Sequence, residues 1–204
     1  MRKSRKTSYH HGNLREALLQ AALELVREQG AAALSLREVA RRAGVSHAAP
    51  AHHFGDKAGL LTALAVEGFI RFTEAQRAGA ARGGDDPALR FSWLGWAYVM
   101  FAAEHRAYFE VMFRPELLRR DDPALAEAAL AAYQVLLQTV GAALGGNPAP
   151  DELALRATVA WAGAHGLATL WLDGNLAHYA GLSDLDALAR QVFGLSPQQT
   201  ACEP

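Results

Sequence analysis

Residues 35–57, SLREVARRAGVSHAAPAHHFGDK, decide the fold. Ser35 followed three residues later by Glu38 is a capping box, which starts a helix. Leu36, Val39, Ala40 and Ala43 recur at helical spacing and give that helix one apolar face. It stops at Ala43 or Gly44, because glycine takes the left-handed conformation that ends helices at no steric cost. Val45 turns inward, and Ser46 is placed to cap a second short helix over residues 47–53. Helix, tight turn and helix make a helix-turn-helix, whose second helix enters the DNA major groove. The pattern implies DNA binding.

Charge agrees once its distribution is read. The 204-residue chain has a net charge of only −1. Residues 1–60, however, hold ten Lys and Arg against five Asp and Glu, whereas residues 61–204 hold ten against sixteen. A basic head on an acidic body is the footprint of a two-part DNA-binding protein. Half of the residues are apolar, with Ala and Leu abundant, so a helical core is expected. A lone cysteine, Cys202, forbids an internal disulfide and points to a reducing compartment. No apolar stretch follows the basic residues 1–6, as a signal peptide would need. The uncharged stretch at residues 157–172 has sixteen residues. That falls short of the roughly 20 a membrane span needs. The expectation is a cytoplasmic protein with no membrane partner.

Working outward, residues 1–12 form a basic, flexible arm, and residues 13–60 the helix-turn-helix domain. Asn13 with Glu16 makes a variant capping box, and Leu14, Leu18, Ala22 and Leu25 share one helix face as far as Gly30. A long helix runs from Lys57 to about Gly79, with Leu61, Leu64, Ala65, Phe69 and Phe72 on its apolar face. Asp86-Pro87 and Asp122-Pro123 each combine a capping residue with a proline in the first turn. Helices are expected over 88–103, 105–118, 123–144, 151–172 and 184–193, with a tail at 195–204. The fold class is all-α: a three-helix head and a helical regulatory and dimerisation body over residues 61–194.

Residues 13–61 resemble the N-terminal domain of TetR-family transcriptional regulators. LSLREVARRAGVS, the pair His53-Phe54 and Lys57 opening the next helix carry that resemblance. YHHGNLREALL at residues 9–19, with Trp161, His165 and Gly166 in WAGAHG, is similar to a branch named after a Trp-His-Gly signature. The resemblance implies a homodimer that pairs through its last two long helices, here 151–172 and 184–193. It also implies a small-molecule pocket in each body and release of the operator when that pocket fills.

Phosphate contacts are expected from Ser35, Arg41, Arg42 and Lys57, the last helped by a helix N-terminus, and from Arg2, Lys3, Arg5 and Lys6 of the arm. A solvated helix face is the alternative for Arg41 and Arg42, and a merely solubilising tail for the arm. The recognition helix offers Ser46, His47, Ala48, His52 and His53. It lacks the Arg, Lys, Asn and Gln that make bidentate base contacts. Where many family members carry Tyr, this chain has Ala51. Sequence choice is therefore expected to lean on DNA shape and the arm. A metal site is disfavoured: His47, His52 and His53 never stand four apart, and no cysteine accompanies them.

Trp93, Trp96, Phe101, Phe109, Tyr133, Trp161 and His165 are the candidate pocket residues, each with a core role as its alternative. Arg106, Arg114 and Glu104 could instead line a polar cavity. Helix 151–172 carries no charge from Ala157 on. It presents Trp161, His165 and Leu172 on one face, and Val159, Gly163, Gly166 and Leu170 on the other. Burial on both sides suggests one face toward the core and one toward a second subunit. No nucleophile–base pair, phosphate loop or paired carboxylates suggest an enzyme, and no cofactor is expected. A DNA-binding dimer without an effector is the rival reading.

Overall fold

The structure, a computed structural model, describes residues 11–196. The basic arm's Arg2, Lys3, Arg5 and Lys6, and the tail with Cys202, lie outside the described residues. Among the described residues there are ten α-helices, two short 3-10 turns and no strand. No helix is long and apolar enough to cross a membrane.

The head comprises α1 (His11–Gln29), α2 (Leu36–Arg42) and α3 (Ala49–Phe54). Leu18, Ala22, Leu25 and Val26 of α1 are buried with Val39 and Ala40 of α2 and Phe54 of α3. Ser35 caps α2 as its sequence requires, its Oγ accepting the Glu38 N–H at 3.3 Å. Gly44 turns the chain with φ +67°, and the Val45 N–H returns to the Ala40 carbonyl at 3.0 Å. The next step differs from expectation. α3 starts at Ala49 with Ala48 as its N-cap, and Ser46 supplies its backbone carbonyl to the Ala49 N–H rather than its hydroxyl. Pro50 explains the later start: in the first turn it needs no N–H, whereas a start at 47 would place it deeper in the helix.

α4 (Lys57–Ala81) leaves the head and runs through the body, so the expected boundary at residues 60 and 61 falls inside one helix. Asp56 caps it, Oδ1 accepting the Gly59 N–H at 2.8 Å. The helix passes Gly79, which sequence reading takes as its end. A Cβ on Gly79 would lie 2.4 Å from the Ala97 Cβ and 3.0 Å from the Trp93 carbonyl, so this glycine marks a close helix crossing.

Around α4 stand α5 (Pro87–Glu104), α6 (Arg106–Met112), α7 (Pro123–Ala143) and α8 (Pro150–Leu172), then α9 (Asn175–Ala180) and α10 (Leu185–Val192). Asp86 and Asp122 cap α5 and α7 with a proline behind each, as their sequences imply. The single helix expected over 105–118 is broken. α6 ends at Met112, and Pro115–Leu117 form a 3-10 turn, because Pro115 cannot donate to the helical ladder. α9 was not anticipated; left-handed Gly174 and Gly181 (φ +75° and +65°) bracket it. Leu195, placed in the tail by its sequence, is buried.

The crossing at Gly79 yields a stability test. Gly79→Val puts branched carbons where α5 leaves no room, and is expected to cost about 1–3 kcal/mol. Urea unfolding of the variant reads that loss directly, and wild-type stability would mean that α4 and α5 lie further apart.

Candidate functional site

On the head, Gly44, Ser46, His47, Ala48, Ala51 and His52 are all exposed along the turn and the outer side of α3, while Pro50 and Phe54 anchor the inner side. His53 is half-buried and packs beside Phe54, with ring centroids 6.1 Å apart. Three cations beside this surface, Arg41, Arg42 and Lys57, are already engaged. Arg41 grips Glu38 through Nε at 2.9 Å, and Arg42 reaches back to Glu28 of α1 at 2.6 and 2.7 Å. Hydrogen bonds to these arginines hold the carboxyls of Glu38 and Glu28 below their ordinary values. Arg42 thus ties α2 to α1, and a phosphate would have to draw it from two carboxylates. The Lys57 Nζ donates to the Ala32 carbonyl at 2.5 Å.

Besides the apolar packing of α1 on α6, two polar contacts join this head to the body beyond α4 itself. A Glu110 carboxylate oxygen of α6 accepts the Ala31 N–H at 2.9 Å. Arg119, in the loop before α7, pairs with Asp56 at 2.9 Å, and its backbone N–H donates to the Thr62 Oγ1 at 2.9 Å. Gly55 (φ +80°) and Gly59 make room for that guanidinium, since a Cβ on either would lie about 3 Å from it. Asp56 therefore caps α4 and holds Arg119 at once; the Gly59 N–H first, and Arg119 second, keep its carboxyl below the ordinary value.

Inside the body a cavity of about 680 Å³ opens between α4, α5, α6, α7 and α8. Of the candidate pocket residues, Tyr133, Trp161 and His165 line it. Trp93, Trp96, Phe101 and Phe109 do not. Trp93 is 1 % exposed, with the Arg82 guanidinium 3.8 Å over its ring. Trp96 donates from Nε1 to Asp186 of α10 at 2.7 Å, fastening α10 to α5. Phe101 stacks on Phe72 and His105, and Phe109 on Tyr98 and His165. Neither Arg106, Arg114 nor Glu104 reaches the cavity.

Sequence reading missed Gln76, Phe91, Leu94, Tyr98 and Phe193 in the lining. Gln76 had a signal: it stands four residues after Phe72 and seven after Phe69, a polar residue on an apolar helix stripe. Phe193 had none. It closes one end against Gly95, where a Cβ would meet its ring at 2.5 Å.

Three lining side chains form a chain of hydrogen bonds. The Trp161 indole N–H donates to the Tyr98 oxygen at 3.2 Å, and that oxygen lies 2.8 Å from the His165 Nδ1. An indole can only donate, so the Tyr98 oxygen accepts from Trp161, while the direction of the Tyr98–His165 bond follows the imidazole tautomer. Burial lowers the His165 pKa, which keeps the ring neutral, and burial raises that of Tyr98. His165 is both core and wall.

Burial lowers His105 as well. Both histidines bind a proton more weakly folded than unfolded. Their contribution to stability is complete above the ordinary value of 6.5 and is lost as pH falls below it. Melting temperature is expected to fall between pH 7.5 and 5.5, less steeply in His165→Gln. Equal slopes in the two proteins would contradict a buried neutral His165.

Comparison with known proteins agrees with this geometry. Residues 18–64 match the family model for bacterial regulatory proteins of the tetR family, and residues 91–194 that for the tetracyclin repressor-like C-terminal domain. The HTH-type transcriptional regulator BetI of Stenotrophomonas maltophilia is 38% identical over 73 residues, 36% of this chain and 37% of that protein, so the match spans little more than a third of its length. A protein of unknown function from Rhodococcus sp. RHA1 superposes with a TM-score of 0.78 at 35% identity, over 93% of this chain and 96% of that one. The TetR family transcriptional regulator PfmR from Thermus thermophilus shares the fold, with a TM-score of 0.62 at 20% identity over 87% and 94% of the two chains. These relatives of known role are regulators, not enzymes, and the chain itself belongs to the TetR family of DNA-binding transcriptional regulators.

Proposed function

We propose that this protein is a cytoplasmic, homodimeric repressor, released from its operator when a small molecule fills the body cavity. The observation that carries the reading is the shared framework of cavity and head. Phe69, Phe72 and Gln76 of α4 line the cavity, as do Met112 and Phe113 at the end of α6 and Pro115 beyond it. The same α4 starts at the head, and α6 and the loop after it hold the head through Glu110 and Arg119. A ligand that prefers one placement of these walls therefore biases one placement of the head. It can shift the equilibrium only by its differential affinity for the two placements.

On DNA, Ser35, Arg41, Arg42 and Lys57 would meet phosphates, while Ser46, His47, Ala48, His52 and His53 face the major groove. The exposed side chains of α3 are small or imidazole, which favours reading by DNA shape and thymine methyls over bidentate contacts. The rest of the dimer reading rests on α8. Leu155 and Val159 are each 63 % exposed on it, Leu170 is 44 % exposed, and Gly163 and Gly166 have open space over their Cα atoms. Such an apolar face with small residues between is suited to a second copy of the same helix. α10 fits the interface less fully, because Leu185 and Ala189 are buried within the subunit and Val192 is exposed.

Fluorescence anisotropy on the protein's own upstream DNA, with a scrambled duplex as control and salt as the variable, tests operator binding. Tight binding to the upstream duplex alone, weakening steeply with salt, is expected. Equal, weak binding to both would favour an architectural protein. Val159→Glu places a charge in the α8 face and should yield a folded monomer by sedimentation, with DNA affinity reduced at least about tenfold through lost bivalency. A dimer that survives the substitution would move the interface elsewhere.

A further inference from the structure

Resting on the reading of the cavity as an effector site, we propose that its ligand is an uncharged, largely apolar molecule whose hydrogen-bonding group engages the Gln76 amide. Three observations converge on that class. The first is charge: no Asp, Glu, Lys or Arg lines the cavity. An ion carried inside would lose its hydration with no partner to replace it. Arg82, Arg190 and Asp186 form a charged cluster against Trp93 and Trp96, outside the lining, where the Arg190 Nη1 is buried without a hydrogen-bond partner.

The second is shape. At about 680 Å³ the cavity suits a molecule of ordinary drug size. Phe72, Phe91, Phe113, Tyr133 and Trp161 present ring surfaces to it. These walls pack well against a planar or ring-bearing apolar body.

The third is an unmet hydrogen bond. Among the polar groups of the lining, Tyr98 is occupied by Trp161 and His165. Gln76 is different: the residue is 3 % exposed and its Oε1 is buried with no hydrogen-bond partner. A buried amide left unpaired is costly, and native proteins rarely keep one without a use. Rotation about its last torsion exchanges Oε1 and Nε2, so the amide can accept from a hydroxyl or N–H, or donate to a carbonyl. Because Gln76 sits on α4, a ligand held there pulls on the helix that carries the head.

The test uses the full chain without DNA and two probes that share a ring skeleton. N-phenyl-1-naphthylamine is neutral with one N–H, whereas 1-anilinonaphthalene-8-sulfonate adds a sulfonate. Fluorescence titration should show the neutral probe binding at least about tenfold tighter, and Leu136→Trp, which fills the cavity, should abolish that binding. Equal or tighter binding of the sulfonate, or binding that survives Leu136→Trp, overturns the proposal.

Gln76 is read by competition with 1-naphthol and 1-methylnaphthalene. Gln76→Met should fold at least as stably and lose about tenfold in its preference for the naphthol, measured against wild type. An unchanged preference would assign the Gln76 amide to a bound water and overturn its role. Should the variant fail to fold, the probe pair on wild type still decides the charge class. Probe binding with these preferences but without any change in DNA affinity would uphold the cavity chemistry and defeat the effector-release reading instead.

Discussion

The packing of α4 against α5 is the constraint on which the remaining structure depends. Gly79 lets the two backbones meet where any side chain would collide with Ala97 and Trp93. Held there, α4 buries Leu60, Leu61 and Leu64 at its head end and Phe69 and Phe72 further along. One hydrophobic core therefore runs along this helix from head to body, with no linker between the head and the cavity walls. The contacts of Glu110 with Ala31 and of Arg119 with Asp56 make the connection a frame rather than a single rod. Glycine supports this frame twice more, at Gly55 and Gly59, where the Arg119 guanidinium occupies the space of missing side chains.

Local signals made the head legible. Ser35 and Gly44 in the head, like Asp86-Pro87 and Asp122-Pro123 in the body, act on their own backbone within a few residues, and each does in the fold what its sequence implies. Ser46 and Asn13 depart from their capping readings: the constraint imposed by Pro50 four residues on outweighed the preference of Ser46, and Asn13 lies inside α1, which starts at His11. Gly79 misled for a related reason: a glycine that ends a helix and one that admits a neighbouring helix look alike in one dimension. The cavity was only half legible. Aromatic residues identify the apolar body, but which of them face the void depends on helix rotations set by distant contacts. Trp93 and Trp96 turn toward Arg82 and Asp186 instead. Gln76 was readable in principle, as a polar side chain on the Phe69–Phe72 stripe.

Head and cavity follow different chemical logics. Arg41 and Arg42 of the head are braced against carboxylates of its own helices, beside a surface of small side chains and imidazoles. The cavity excludes charge from its walls; Trp161, Tyr98 and His165 bond to one another there, and the Gln76 Oε1 has no partner.

The central claim is that the cavity and the head are one mechanical unit. Hydrogen–deuterium exchange of the full chain, with and without saturating N-phenyl-1-naphthylamine, tests it most directly. Exchange is expected to change at the cavity walls and also around Ala31 and residues 56–62, where the body grips the head. Changes confined to the cavity walls, with the head exchanging as before, would contradict the account.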